Sequence, residues 1–311
     1  MMSLFPGTPG WYTLADFWGG TMPSKSEQVV VRVATPGDSA VSGQICYEAF
    51  AKLSAKHGFP CDLPGPEAAT GILSTLFSSP GFYCVVAESG GRVVGSNCLD
   101  ERSMIAGIGP ITIDPGAQNL GVGRKLMQAV MDRANERCPA GMRLVQAAYH
   151  NRSLALYASL GFDVREPLSC IQGRPRERHV PGCAVRPAQA ADGDACNALS
   201  RRVHGFDRGT ELAQAIQQNT AVVVERTGRI TGYASCLAFY GHATAESNVD
   251  MQALIASVES FGGPGILLPS RNTELLRWCL GNGLHVVQPM TLMSIGLYNE
   301  PAGAWLPSIL F

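Results

Sequence analysis

An excess of charge of either sign is missing from this chain. Its 311 residues include 24 lysines and arginines against 25 aspartates and glutamates, which gives a formal net charge of −1 at pH 7. A protein that attracts nucleic acid through the field of the whole molecule needs a basic excess. The balance therefore predicts that nucleic acid is not a partner.

Close cysteine pairs are missing as well. The ten cysteines are spread along the chain, and none forms a Cys-x-x-Cys pair. Pairs at that spacing are typical of zinc sites and redox motifs, so we expect no metal. Free cysteines inside strands and helices act as small apolar residues. Unpaired cysteines of this kind favour a reducing compartment.

Long apolar runs are also absent. No run reaches the roughly 20 residues that a transmembrane helix needs, and the first residues lack the basic-then-apolar order of a signal peptide. These two absences predict a cytoplasmic protein without a membrane partner. Residues 1–27 form an aromatic N-terminal extension instead, in which Phe, Trp and Tyr lie among Gly, Pro and Thr.

One segment that joins a strand to a helix carries the chemistry. Ile111 and Ile113 alternate with polar neighbours, as in a strand, and Pro115 and Gly116 end that strand. Apolar residues recur at helical spacing from Gly121 onward. A helix start exposes unpaired N–H groups and the positive end of its dipole, so we expect a pyrophosphate to bind there.

Two common phosphate-binding motifs do not fit this segment. A nucleotide P-loop needs Lys directly after its last glycine, but Val122 occupies that position when the motif is counted from Gly116. A dinucleotide-binding fingerprint needs a third glycine, and Leu126 stands there instead. Neither class of nucleotide site is therefore expected.

The pattern that remains is Gln118-x-x-Gly121-x-Gly123, preceded by Ile113-x-Pro115. It resembles the acyl-CoA-binding motif of the GNAT acyltransferase superfamily, Arg/Gln-x-x-Gly-x-Gly/Ala after a strand that ends in Val/Ile-x-Pro. A single short motif of this kind also occurs at ordinary helix starts, so a second motif is needed.

That second motif follows one helix and one strand later. Residues 144–149 read as a buried strand, and Asn151 follows as a candidate helix N-cap. Tyr157 continues at helical spacing, and Gly161-Phe162 ends the helix and opens another strand. The run resembles the family's Asn…Tyr…Gly-Phe pattern after its fifth strand, and the two motifs lie in the expected order.

An internal repeat divides the chain in two. Arg32 with Asp38 is echoed by Arg186 with Asp192, and each pair precedes a helical pattern. The repeat and the resemblance predict an α/β (α+β) fold of two tandem GNAT-like domains, each a mixed, mostly antiparallel sheet flanked by helices. The predicted units are a catalytic domain with the acyl-CoA site at 28–172, a linker at 173–182 and a degenerate GNAT-like domain at 183–311.

The second copy lacks the glycine-bearing helix start. Residues 242–250 stand in its place and contain no glycine, while Glu246 and Asp250 would repel a pyrophosphate. We therefore expect one acyl-CoA per chain, bound by the first domain.

The resemblance implies roles for named residues. Acetyl-CoA would be the co-substrate, and Tyr157 would be the acid that protonates the departing thiolate, whose reference pKa is about 8.5. The residues implied to bind acetyl-CoA are Ile111, Ile113, Gln118, Asn119, Leu120, Gly121, Val122, Gly123, Arg124 and Asn151.

The base that takes the proton of the attacking amine is left open. Asp100 and Glu101 close the third strand, near where the family's fourth strand begins, and are the candidates that we name. His150 titrates near neutral pH and is an alternative. An ordered water can also be the base in this family.

Three functions are compatible with these features. The first is an N-acetyltransferase acting on a small-molecule amine such as an amino acid, polyamine or aminoglycoside, and the second is the same chemistry on a protein lysine or N-terminus. The third is a non-catalytic acyl-CoA-binding regulator. A narrow acceptor cleft, built by the segment 61–80 and closed by the second domain, would favour the first. The sequence leaves homodimer formation open.

Overall fold

The chain folds into strands and helices in a computed structural model that describes residues 29–118, 120–137 and 139–310. The predicted N-terminal extension and Asn119 lie outside the described residues. The elements of the first half are β1 (Val30–Val33), α1 (Ser39–His57), α2 (Pro66–Ser78), β2 (Phe82–Ser89), β3 (Arg92–Asp100), β4 (Ile105–Ile108), β5 (Thr112–Ile113), α3 (Val122–Arg137), β6 (Gly141–Ala147), α4 (Asn151–Ser159) and β7 (Asp163–Gly173).

Among the described elements, the second half follows a similar order, with one strand fewer before its third helix than the first half has. Its elements are β8 (Ala184–Pro187), α5 (Gly193–His204), α6 (Gly209–Gln217), β9 (Val222–Arg226), β10 (Arg229–Ala234), β11 (Ala243–Ala245), α7 (Asn248–Ala256), β12 (Ile266–Pro269), α8 (Thr273–Gly281), β13 (Leu284–Gly296) and β14 (Ala304–Leu306). The predicted α/β class with mostly antiparallel sheets is confirmed.

The strands form two sheets. In the larger one the order is β1-β2-β3-β4-β6-β13-β7-β12, with β5 paired to β3, and in the smaller one it is β14-β11-β10-β9-β8. Within the described residues one strand pair in these sheets is parallel, that of β4 with β6, and the others are antiparallel.

The two halves exchange strands in the larger sheet. The second-half strand β13 lies between β6 and β7 of the first half and pairs antiparallel with both. In return, β7 lies between the second-half strands β13 and β12. Each half thus has a strand of the other half as a neighbour in the larger sheet. The domain bounds proposed from the sequence stay a prediction.

The helix α3 anchors the first half. Its apolar residues Val122, Leu126 and Val130 lie on one face, as their spacing predicts, and pack against Val85 and Leu99 of the large sheet. Leu126 is fully buried, and burial of such a side chain stabilises a fold by about 1.5–3 kcal/mol. The start of α3 is thereby held in a fixed position beside the sheet.

Each half also opens with the same ionic clamp. Arg32 Nη2 lies 2.8 Å from Asp38 Oδ1 and 2.7 Å from Glu88 Oε1, which ties the turn after β1 to β2. The same three residue types recur in the second half as Arg186, Asp192 and Glu225. The sequence repeat is thus a repeat of structure as well.

Candidate active site

Two parallel strands in the middle of the large sheet separate after a short paired stretch. Ile105 of β4 is opposite Gly141 of β6, and Gly107 is opposite Arg143. Beyond these pairs β5 returns to β3, whereas β6 continues along β13. The gap between the diverging strands opens into a cavity of about 1190 Å³.

One end of this cavity is the start of α3. It is lined there by Gln118 and the segment 121–124. Gly121 has φ +73°, a conformation that favours glycine, and the space where its Cβ would stand is open. Exposed helix N–H groups beside open space fit an anion such as a pyrophosphate.

Two arginines add positive charge at this end. Arg124 Nη2 donates to Ser159 Oγ at 2.7 Å, and Arg152 Nη1 donates to Gln118 Oε1 at 3.0 Å. Both arginines line the cavity. Their hydrogen bonds orient the guanidinium groups around the helix start, where a doubly charged phosphate group would lie.

Gly123 lines the cavity and is also closely surrounded by other parts of the chain. A Cβ at this position would lie 2.9 Å from Ile113 Cδ1 and 3.4 Å from Leu156 Cδ2. The missing side chain therefore lets α3 pack closely against β5 and α4. The resemblance implies that this glycine binds acetyl-CoA, which stays a prediction, and the structure adds a packing role.

The structure brings most of the predicted acetyl-CoA-binding residues to one cavity. Those that line it are Ile111, Ile113, Gln118, Gly121, Val122, Gly123, Arg124 and Asn151. Leu120 is absent from the lining and 57% exposed. Binding by these residues stays a prediction, and Asn119 is not described.

Asn151 is the first residue of α4, and His150 rather than Asn151 occupies the N-cap position. Helix bounds shift easily by one residue. In the repeat, Asn272 does cap α8, since its side chain accepts a hydrogen bond from Leu275 N. The Asn151 side chain instead belongs to the cavity lining.

Tyr157 faces the cavity from α4 and is 5% exposed. Burial raises the pKa of its hydroxyl to about 12, an effect that a hydrogen bond with Ser153 opposes. Ser153 Oγ also lies 2.7 Å from His150 Nδ1. The phenol is protonated at neutral pH and is linked through Ser153 to an imidazole.

The two predicted base candidates lie away from this cavity. Asp100 Oδ1 accepts a 2.8 Å hydrogen bond from Arg102 Nε, and Glu101 pairs with Arg133 of α3 at 2.8 Å. Neither carboxylate lines the large cavity, and Glu101 borders a separate hollow of about 300 Å³. Their role as base stays a prediction that this geometry does not favour.

The second half forms the opposite wall of the cavity. Gln214 of α6 accepts a 2.7 Å hydrogen bond from Arg102 Nη1, and both residues line the cavity. Ser235 and Phe239 extend the same wall. Part of the first-half segment 61–80, expected to build an acceptor pocket, lines the same cavity.

Two carboxylates belong to the described lining, Asp62 and Glu211, and sequence reasoning named neither. Glu211 Oε2 pairs with Arg208 at 2.5 Å and Oε1 with His242 at 2.9 Å. Burial alone would raise the pKa of Glu211, but Arg208 and His242 outweigh it and hold that pKa below its usual range. Glu211 is therefore a fully paired carboxylate.

The corresponding helix start in the second half is closed by its own side chains. Ser247 caps α7 by accepting a hydrogen bond from Asp250 N. Asp250 is fully buried and accepts from Arg226 and Thr231, at 2.7 Å each. A carboxylate of the chain thus occupies the region where a pyrophosphate would have to bind.

The described ranges contain neither a helix fit to span a membrane nor a cluster fit to bind a metal. None of the described helices has the length and apolar character needed to cross a membrane. No cluster of three or more His, Cys, Asp or Glu residues in those ranges could hold a metal ion.

Comparison with known proteins adds sequence evidence. Residues 52–162 match the model of the Acetyltransferase (GNAT) family. The chain is 30% identical over 146 residues to the N-alpha-acetyltransferase RimI of Mycobacterium tuberculosis, a match that covers 45% of this chain and 82% of that protein.

Solved structures share the fold over most of the chain. A GCN5-related N-acetyltransferase from Sphaerobacter thermophilus has a TM-score of 0.59 at 14% identity and covers 90% of this chain and 98% of its own. A tandem GNAT protein from the clavulanic acid biosynthesis pathway has a TM-score of 0.51 at 15% identity, with 86% and 98% covered. The diverging strands, the two motifs and these matches together show that the chain belongs to the GNAT family of acetyltransferases, as a tandem member.

Proposed function

We propose that this N-acetyltransferase transfers the acetyl group of acetyl-CoA directly to the amine of a small molecule. The observation that supports it is the second-half wall of the cavity. Helix α6 lies across the acceptor side, and the Arg102–Gln214 hydrogen bond joins that helix to the first half. Ligand sites between domains are typical of small molecules.

The first half supplies the acetyl-CoA site in this proposal. The N–H groups at the start of α3, with Arg124 and Arg152, bind the pyrophosphate. The backbone near Ile111 and Ile113 lies along the gap between the strands and pairs with the pantetheine arm. When bound, the thioester supplies the acetyl carbonyl that the amine attacks.

Tyr157 is the proton donor in this proposal. Its buried phenol has a pKa of about 12, so it carries its proton at neutral pH. A donor beside the sulfur lowers the cost of expelling a thiolate with a reference pKa of about 8.5. The Ser153–His150 pair is positioned to return a proton to the phenol.

A protein N-terminus is the second candidate acceptor. It is favoured by the similarity to RimI, whose name describes an N-alpha-acetyltransferase. Under this alternative the acceptor end of the cavity would have to admit an extended peptide past α6.

The experiment is a panel of small amines and of short peptides with free N-termini, with CoA release followed by a thiol reagent. We expect turnover with at least one small amine and little with peptides. Tyr157→Phe should lower kcat by about 10²–10⁴-fold while acetyl-CoA affinity, measured by calorimetry, stays close to that of the wild type. Turnover with peptides alone would support the second candidate, and acetyl-CoA binding without turnover on any amine would indicate a non-catalytic regulator.

A further inference from the structure

The acceptor side of the cavity contains a carboxylate from the connection between α1 and α2. Asp62 lies in this connection and lines the cavity. The connection is fixed over the end of β6, because the ring of Phe59 stacks on Tyr149 with 4.4 Å between centroids. The His57 ring also contacts Tyr149, at 5.3 Å. Asp62 is therefore held in the cavity lining near the end of β6.

Asp62 is oriented by a residue of the exchanged strand. Gln288 of β13 is 1% exposed, and its Nε2 donates to Asp62 Oδ1 at 2.5 Å. Tyr149 donates from its hydroxyl to Gln288 Oε1 at 3.0 Å, which fixes which way the amide points. The register of β13 against β7 shifts between Val286 and Gln288, and such bulges re-aim side chains near sites.

The two cavity carboxylates differ in what they can do. Both oxygens of Glu211 are occupied by Arg208 and His242. Among the described residues, Gln288 is the one hydrogen-bond partner recorded for Asp62. Burial raises the pKa of Asp62, and the Gln288 hydrogen bond counteracts part of that rise. A carboxylate with a raised pKa is a better proton acceptor than one that is held ionised.

We propose that Asp62 binds the acceptor as an ammonium ion and takes its proton, and that Gln288 is the positioning residue that aims this carboxylate. The inference rests on the proposed function and names the base that the sequence left open. It also gives the second half a part in catalysis, through a strand that completes the sheet of the first half.

The proton balance of the reaction is complete with these groups. Asp62 removes one proton from R–NH₃⁺, and the neutral amine attacks the thioester carbon. The C–N bond forms, the C–S bond breaks, and the electron pair of that bond leaves on sulfur. The second proton lost by nitrogen passes to the thiolate by way of Tyr157, and Asp62 returns its proton to solvent. The products are an N-substituted acetamide, CoA with a free thiol and one proton.

The cavity lining also restricts the kind of amine. Glu211 is paired with Arg208 and His242. Asp62 is thus the one carboxylate in the described lining without a cationic partner. A polycationic acceptor would therefore leave its further charges without a counter-charge. The lysines and arginines in the lining are Lys52, Lys56, Arg102, Arg124 and Arg152. Apolar side chains cover much of the rest, among them Phe50, Ile72, Phe82, Phe239 and Met290. The acceptor we infer is a monoamine with an apolar aliphatic or aromatic body.

The test compares four variants of the full chain on the best monoamine of the panel, with a polyamine and an aminoglycoside beside it. Asp62→Asn should lower kcat/KM for the amine by about 100-fold or more with the acetyl-CoA Kd within twofold. Asp62→Glu should recover part of this loss. Asp194→Asn, an exposed aspartate on α5, is the matched control and should behave as the wild type.

The Gln288→Met variant tests whether Gln288 positions Asp62 or only stabilises the fold. Removing the amide raises the pKa of Asp62 further, so the acid limb of the kcat/KM profile should move to higher pH. The other titratable or charged groups around Asp62 are Cys46, Lys52 and Lys56 of α1, His57, Cys61, Tyr149, His150 and Cys170. These are retained in the variant, and acetyl-CoA affinity should be unchanged.

The outcomes are distinguishable. Asp62→Asn with kcat/KM within threefold of the wild type would overturn the inference and leave the proposed function intact. If Asp62→Asn no longer binds acetyl-CoA, Gln288→Met decides, and an unmoved acid limb overturns the inference. No CoA release by the wild type on any amine removes both the proposed function and the inference, and faster turnover on the polyamine contradicts the inferred acceptor class.

Discussion

The two glycines of the Gln118-x-x-Gly121-x-Gly123 motif have different surroundings. Gly121 adopts φ +73°, and no neighbour within 4 Å would meet a Cβ there. Gly123 lies in the first turn of α3, where a Cβ would be 2.9 Å from Ile113 Cδ1. The first glycine leaves room for a ligand, whereas the second leaves room for the protein itself.

Gly123→Ala should therefore destabilise the fold. The added methyl pushes the flexible end of Ile113, so we expect a loss of about 1 kcal/mol in the free energy of unfolding. Gly71→Ala, in the exposed middle of α2 with no atom near its Cβ, should instead stabilise by about 0.5–1 kcal/mol. Urea denaturation of both variants measures the difference, and equal effects would contradict the packing role of Gly123.

Residues close in sequence could be placed from the sequence, and residues distant in sequence could not. Tyr157 and the glycine-bearing helix start follow from helical spacing within single segments, and the structure brings them to one cavity. Asp62 and Gln288 are 226 positions apart. Their contact depends on the exchange of β13 into the first-half sheet, which local patterns do not encode.

Among the elements, the clearest repeat is the pair of ionic clamps. Arg32 bonds both oxygens of Asp38, and the Asp38 side chain is 10% exposed. The hydrogen bonds from the Arg32 guanidinium hold the pKa of Asp38 well below its usual range. Burial opposes this effect, and hydrogen bonds from the backbone and side chain of Thr35 reinforce it. The clamp fixes the turn that leads from β1 into α1.

Asp38→Asn should cost about 1–2 kcal/mol in the free energy of unfolding at pH 7, a value discounted for the partial exposure of Arg32. Because the folded pKa of Asp38 is lowered, its contribution is complete above the unfolded pKa of about 3.9 and is lost as the pH falls below that value. The difference between wild type and variant should thus shrink in acid. Asp132→Asn, exposed on α3, is the control and should change stability by less than about 0.5 kcal/mol. A pH-independent difference would contradict the assignment.

The helices α4 and α8, which follow β6 and β12, have equivalent asparagines of the sequence repeat at their starts, but the two asparagines have different contacts. Asn272 occupies the N-cap position of α8. Its counterpart Asn151 is the first residue within α4, one position past the N-cap, and borders the cavity. The element bounds of both helices follow from apolar spacing and the glycines after them. The one-residue difference at their starts depends on the loop geometry before each helix.

For the whole molecule, the exchanged strands connect the two halves of one plan through the larger sheet. The backbone groups of β6 and β7 that face each other in the sheet are satisfied by β13. A first half without β13 would leave two long strand edges unpaired, which favours aggregation. The sequence repeat predicted two domains, but the exchange involves contacts between strands far apart in the chain, and the pattern of each half alone could not reveal it.

The halves differ at their helix starts, and the difference bears on how many acetyl-CoA molecules one chain can bind. The start of α3 is lined by open space and two arginines, whereas the start of α7 is closed by Ser247 and the buried Asp250. We therefore expect a single acetyl-CoA site, in the first half.

Calorimetric titration of the intact chain with acetyl-CoA tests this claim most directly. We expect one acetyl-CoA per chain for the wild type, reduced affinity for Gly121→Ala through backbone strain of about 1–2 kcal/mol, and no detectable binding for Gly121→Glu, whose carboxylate repels the pyrophosphate. Two acetyl-CoA molecules per chain, or wild-type affinity in Gly121→Glu, would contradict the account.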